Sequence, residues 1–331
     1  MSATSRSPQA PARQSTAPLF DEAFLLKLER LAVMSRRAMA GQLQGERRSP
    51  KRGQSVEFAD FRPYTPGDDF RRIDWNAYAR LERFFLKLFV EEEDLTVHLL
   101  IDTSRSMDWG QPDKLWYARR VAGALGYVAL AGLDRVTATA LGLEEGAGYF
   151  APHRGKGQAH ALFQFLSALS PGGTLHLGQA LARYGARMAA GATQPGPLIL
   201  LSDLFDTAPQ PAPPSPAGSP VLAGLNSLAA RGFDVTLLHV LAPDEADPGR
   251  AAWLGQGPSV DFRLLDSESG AGVEITADYD LLQRYRDGLA AWQAELRRFC
   301  GARGIYYVPV ETSLPLEDLL FAWLRRWGVL R

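Results

Sequence analysis

The stretch Leu95-Thr-Val-His-Leu-Leu-Ile-Asp-Thr-Ser-Arg-Ser-Met107 decides the fold. Val97 to Ile101 is apolar except for His98, the pattern of a strand buried on both faces of a parallel sheet. The run ends in Asp102-x-Ser104-x-Ser106, which crowds three oxygen-bearing side chains at the carboxyl end of the strand. Open α/β sheets bind their ligands at that end. One anionic and two neutral oxygens, with no sulfur, suit Mg²⁺, Mn²⁺ or Ca²⁺ rather than zinc.

Working outward, apolar strands alternate with helical patterns. A helix is expected over Lys114 to Leu133, a strand from Asp134 to Leu141 and a hairpin return near Tyr149 to Ala151. Helices follow over Gln158 to Leu169 and Leu177 to Ala190. Pro197-Leu-Ile-Leu-Leu-Ser-Asp203 is a second buried strand ending in a carboxylate. Beyond it come a proline-rich loop from Ala208 to Pro220, a helix from Val221 to Arg231 and a strand from Phe233 to Leu241. Two short strands lie near Val260 to Leu265 and Gly272 to Ile275. A long helix from Tyr279 to Cys300, a strand from Gly304 to Val310 and a helix from Leu316 to Trp327 complete the chain. This alternation predicts an α/β fold, a Rossmann-like, parallel-dominated sheet covered on both faces.

The first 94 residues read differently. Residues 1–19 have the Ser/Pro/Ala/Gln composition of a disordered tail. Asp21 is placed to cap a helix from Glu22 to Met39, with Phe24, Leu25, Leu28 and Leu31 on one stripe. A basic loop holding Arg47, Arg48, Lys51 and Arg52 follows. It lacks the interleaved aromatics of a nucleic-acid groove and reads as solvated. Val56 to Phe61, Ile73 to Arg80 and Phe84 to Val90 suggest strands of a small β-rich segment. Arg62, Asp68, Asp69, Arg71, Arg72, Asp74 and Arg80, with Trp75 among them, suggest an ion-pair lattice seating it; loss of the Trp75 side chain is costly there if the indole is buried. The division is therefore a tail, a helix with a β-rich segment over residues 20–94, and a main domain over residues 95–331.

Composition narrows the function classes. The chain has 331 residues, 46% of them hydrophobic, and a net charge of −1, so no global field favours nucleic acid or anionic lipid. Cys300 is the single cysteine, which excludes an intramolecular disulfide and a cysteine metal cluster. No segment has the ~20 apolar residues a membrane-spanning helix needs, and the N-terminus lacks the apolar core of a secretory signal. A cytoplasmic protein is expected. The five histidines show no ligand spacing.

A short Asp/Ser cluster after a strand is often only a turn or cap. Two further residues change that reading: Thr174 in the Gly-rich loop Ser170-Pro-Gly-Gly-Thr174, and Asp203 at the end of the second apolar strand. In a doubly wound sheet both arrive at the edge that holds Asp102.

Asp102-x-Ser104-x-Ser106, Thr174 and Asp203 resemble the metal-ion-dependent adhesion site of von Willebrand factor A-type domains. The run Arg62-Pro-Tyr-Thr-Pro-Gly-Asp-Asp69, then Arg72-Ile-Asp-Trp75 and Ala79-Arg80, resembles the bacterial family called domain of unknown function 58. That resemblance implies Mg²⁺ ligated by the serines and threonine, carboxylates supporting it through water, and a MoxR-type AAA+ ATPase as partner. It implies a non-enzymatic protein–protein interaction module in which a partner's Asp or Glu completes the metal shell. The alternative is a metal-dependent phosphoester hydrolase using the same sheet edge. The Asp-x-Asp that a phosphotransferase of the haloacid dehalogenase type needs after its first strand is missing, because Ser104 stands at its second position, and no Gly-x-Ser-x-Gly elbow or His-Glu-x-x-His occurs.

Overall fold

The structure, a computed structural model, describes residues 19–33, 56–65, 70, 73–91, 95–143, 148–191, 193–205, 219–250, 260–265, 270 and 272–330. Residues 1–18 of the expected tail, the basic loop, Asp68, Asp69, Arg71, Arg72 and most of the proline-rich loop lie outside these residues.

Ten strands are described: β1 (Val56–Pro63), β2 (Phe85–Glu91), β3 (Thr96–Asp102), β4 (Arg135–Leu141), β5 (Tyr149–Arg154), β6 (Pro197–Ser202), β7 (Asp234–Leu241), β8 (Val260–Leu265), β9 (Gly272–Ala277) and β10 (Tyr306–Glu311). Six form the main sheet in the order β10-β7-β6-β3-β4-β5. All neighbours run parallel except the antiparallel pair β4–β5. The remaining strands make two antiparallel hairpins, β1–β2 and β8–β9.

The principal helices are α1 (Glu22–Leu28), α2 (Trp75–Leu81), α3 (Lys114–Ala131), α4 (Ala159–Ala168), α5 (Leu177–Ala190), α6 (Pro220–Ala230) and α7 (Tyr279–Gly301). They cover both sheet faces. Val97, Leu99 and Ile101 of β3 join the core formed with α1, α3, α4 and the C-terminal helical segment Leu316–Leu324. Leu100, one residue out of phase, joins the core formed with α5, α6 and α7. This is strand alternation with apolar residues on both sides, so all of β3 is buried. The parallel-dominated α/β architecture expected from the sequence is the one observed.

Topology singles out one crevice. From β3 the chain crosses through α3 to β4 on one side; from β6 it crosses through α6 to β7 on the other. The carboxyl ends of β3 and β6 therefore flank a topological switch point, where side chains from diverging loops meet. Gly196 lets β6 enter this close to β3, since a Cβ there would lie 2.4 Å from the Thr96 carbonyl oxygen.

Two expectations need correction, and one condition is decided. Ile73 to Arg80 is not a strand: Asp74 Oδ1 accepts hydrogen bonds from Asn76 N at 2.9 Å and Ala77 N at 3.2 Å, and this cap starts α2. Trp75 is not buried but 60% exposed, lying edge-on to Phe84 and Tyr78. Helix α1 ends at Leu28 instead of continuing to Met39. The chain turns after it, burying Leu31 and forming a bridge from Val33 to Leu330. Residues 34–39 lie outside the described residues.

Candidate functional site

Residues Asp102 to Ser106 leave β3 through a turn held by their own side chains. Ser104 N donates to Asp102 Oδ1 at 2.8 Å. Thr103, the residue between them, points away and donates to the Leu141 carbonyl at 2.5 Å. Its backbone carbonyl accepts from Gly172 N at 2.9 Å, tying the Ser170–Thr174 loop to this turn. Gly173 there has a φ of 72°, the left-handed region that favours glycine. Two residues past the tie, Thr174 is exposed.

The serine hydroxyls face each other, with Ser104 Oγ and Ser106 Oγ 2.9 Å apart. Mg²⁺ binds oxygen at about 2.0–2.1 Å in octahedral geometry, which separates neighbouring ligand oxygens by about 2.9 Å. The two hydroxyls thus already have the spacing of adjacent vertices of that shell. Ser104 is buried and Ser106 half-buried, so the pair approaches the surface from below.

β6 brings the second carboxylate. In the parallel register Ile101 lies opposite Leu201, placing Asp102 beside Ser202 and Asp203. Ser202 Oγ donates to Asp102 Oδ2 at 2.6 Å and accepts from Leu204 N at 2.9 Å. Leu204 has a φ of 63°, and Phe205 N donates to Asp203 Oδ1 at 3.1 Å. Asp102 and Asp203 are both almost completely buried. Burial, reinforced by the Asp203 charge, pushes the Asp102 carboxyl up to about 6.

The other oxygen of Asp203 is taken by a residue the sequence reading did not single out. Lys114 Nζ donates to Asp203 Oδ2 at 2.8 Å and to Glu245 Oε1 at 2.6 Å, and the Lys114 side chain is fully buried. Glu245 sits in the one-turn helix Pro243–Ala246, and its Oε2 accepts from Ala242 N at 2.9 Å. Burial pulls the Lys114 ammonium down, but Asp203 and Glu245 outweigh it and hold the group above its ordinary value. A sequence signal did exist. Lys114 is the first residue of α3, where the positive end of the helix dipole disfavours a cation unless a carboxylate compensates. Ser202 and Glu245 carried no comparable signal.

Asp102, Ser104, Ser106 and Asp203 therefore converge at the switch point, and Thr174 stands exposed on the loop tied to it. Among the described residues no group of three or more His, Cys, Asp or Glu is arranged to hold a metal. An ion here would depend on hydroxyls and on two carboxylates whose oxygens each already accept one hydrogen bond. Such a donor set fits a hard divalent cation with carboxylates acting partly through water, and it leaves positions for an outside ligand.

Around this edge the surface is aromatic. Trp109 is 48% exposed and donates from Nε1 to Asp244 Oδ2 at 3.1 Å; Phe205 is 41% exposed and stacks on Trp292. Met107 is fully buried beneath the turn. Two histidines lie within strands and are buried: His98 Nδ1 meets the Tyr184 hydroxyl and His239 Nδ1 the Tyr307 hydroxyl, each at 2.7 Å.

The chain is 25% identical over 312 residues to an uncharacterized protein of Mycobacterium tuberculosis H37Rv, covering 92% of this chain and 90% of that protein. Among solved structures it is similar to the conserved hypothetical protein BatB from Bacteroides thetaiotaomicron, at 15% identity and a TM-score of 0.38, covering 71% of this chain and 98% of that one. It is also similar to a von Willebrand factor type A protein from Catenulispora acidiphila, at 15% identity and a TM-score of 0.39, covering 74% and 43%. The profile of one family, described as protein of unknown function DUF58, matches residues 60–291. The chain belongs to that family.

Proposed function

We propose that this protein is a non-enzymatic, divalent-metal-dependent protein–protein interaction module. The observation that carries the reading is the convergence of Asp102, Ser104 and Ser106 with Asp203 at the switch point, the two serine hydroxyls standing 2.9 Å apart. In this reading Ser104 and Ser106 ligate Mg²⁺ or Mn²⁺, Thr174 adds a hydroxyl, and Asp102 and Asp203 orient waters of the shell. The ion acts as a Lewis acid toward an incoming oxygen ligand. The protein's own groups keep it underneutralised and hold an exchangeable position toward solvent.

A partner's Asp or Glu displaces the water at that position. The resulting pair lies in a partly desolvated contact, where Coulomb attraction is less screened. Exposed Trp109 and Phe205 supply apolar area beside it, of the kind that anchors interfaces. Family resemblance points to a MoxR-type AAA+ ATPase as the partner. Among the described residues no helix is long and apolar enough to cross a membrane.

Co-purification with the candidate ATPase tests the reading. The complex should form in Mg²⁺, dissociate in EDTA, return when Mg²⁺ is restored and fail with Asp203→Ala. A complex indifferent to all of these would place the partner elsewhere on the domain. Turnover of a generic phosphoester that is lost in Asp102→Ala would favour a hydrolase instead.

A further inference from the structure

The lysine beneath the site is not explained by folding alone. A buried ammonium is costly to desolvate, and an apolar residue of similar volume often serves stability as well. Lys114 is nonetheless completely buried at the first position of α3, and it reaches Asp203 rather than solvent. It also reaches across to Glu245, whose carboxylate accepts in addition from Ala242 N. Two carboxylates, Asp203 and Glu245, thus share one fixed internal cation, with the Phe205 ring 5.5 Å from its nitrogen. The same Asp203 that faces the candidate ion is clamped from behind.

We propose that Lys114 is a positioning residue that sets the charge of the cation site: it offsets Asp203, so a divalent ion bound there stays short of negative charge and holds an external carboxylate. The inference rests on the metal-dependent reading above. Its consequence is that the free protein binds a divalent ion weakly by design. Affinity for the ion is exchanged for affinity of the ion toward the partner. Glu245 acts through the same lysine, tempering it from the far side and joining the Pro243–Ala246 turn to the site.

The test is Mn²⁺ binding to the purified full chain, followed by electron paramagnetic resonance, in four proteins: wild type, Lys114→Met, Glu245→Gln and the double variant. Removing a nearby positive charge should tighten Mn²⁺ binding about tenfold or more, and removing the Glu245 charge should weaken it comparably. The double variant keeps the wild-type charge and should return close to wild-type affinity, a restoration that a merely structural role does not produce. If Lys114→Met fails to fold by circular dichroism, Glu245→Gln alone still decides: weaker Mn²⁺ binding supports the charge role and unchanged binding overturns it. Wild-type binding that is unchanged in the variants overturns the role of Lys114 while leaving the metal reading standing. Binding seen only in Lys114→Met supports the charge role and removes the metal reading for the native chain. Silence in all four overturns both.

Discussion

At the residue scale the site divides into groups that hold and groups that are held. Ser104 and Ser106 bond to each other through their hydroxyls, so truncating both removes one mutual hydrogen bond and little apolar contact. Ser104→Ala with Ser106→Ala should therefore cost only about 0.5–1.5 kcal/mol in denaturant unfolding while abolishing metal-dependent partner binding. A much larger loss would mean that the hydroxyls cap the turn. Asp102 is held away from its ordinary titration by burial and by Asp203, up to about 6. A carboxyl raised in the folded state contributes stability that is full below its unfolded value, near 3.8, and lost as pH rises through about 6. In EDTA, Asp102→Asn should accordingly be more stable than wild type at pH 7.5, by about 1 kcal/mol or more, and nearly equal to it at pH 4. A variant less stable at both values would show that the charge is structurally required. The turn after β3 was legible because Asp-x-Ser-x-Ser is local in sequence. Ser202 was not, and Lys114 showed only as a cation at a helix N-terminus, because their roles arise only when α3 and β6 meet β3.

At the element scale, periodicity was a sound guide wherever an element is long and one-sided. Leu177–Ala190 and Val260–Leu265 occupy the residues expected, since their ends carry local signals. The short N-terminal elements were not legible in the same way. In Ile73 to Arg80 the apolar residues alternate loosely, and Asp74 read as one more charge of a lattice; its carboxylate instead caps α2. Trp75→Ala should then cost less than about 1 kcal/mol, because the indole is 60% exposed. Asp74→Ala should cost about 1 kcal/mol through the lost cap. Reversal of that order in denaturant melts would mean that the aromatic group on α2 is buried in solution. Where helices touch, the demand is steric. A Cβ on Gly178 of α5 would lie 2.5 Å from the backbone carbon of Pro220, which opens α6. Gly178→Ala should therefore lose about 1–3 kcal/mol, and unchanged stability would contradict the close approach of α5 to α6.

For the whole molecule, the parallel order of strands follows from the alternation of apolar runs with helices, and this much the chain announces. What it does not announce is closure between distant ends, such as the Val33–Leu330 bridge and the α1 side chains Phe24 and Leu28 that join the core of α3. Global stability should also carry the mark of two buried neutral histidines. Burial pulls His98 and His239 down to about 4, so their contribution is present above 6.5 and lost as pH falls through the window from 6.5 to 4. Unfolding free energy in EDTA should drop on acidification across that window. The drop should be steeper in Asp102→Asn, which lacks the opposing contribution of Asp102. Equal slopes would contradict the assignment of Asp102. The central claim, that the crevice between β3 and β6 is a cation site, is tested most directly by titrating Mg²⁺ and Mn²⁺ into the purified chain in a calorimeter. One weakly bound ion per chain, lost in Ser104→Ala with Ser106→Ala, is the expected result; a titration silent for both ions, or one unchanged in that variant, contradicts it.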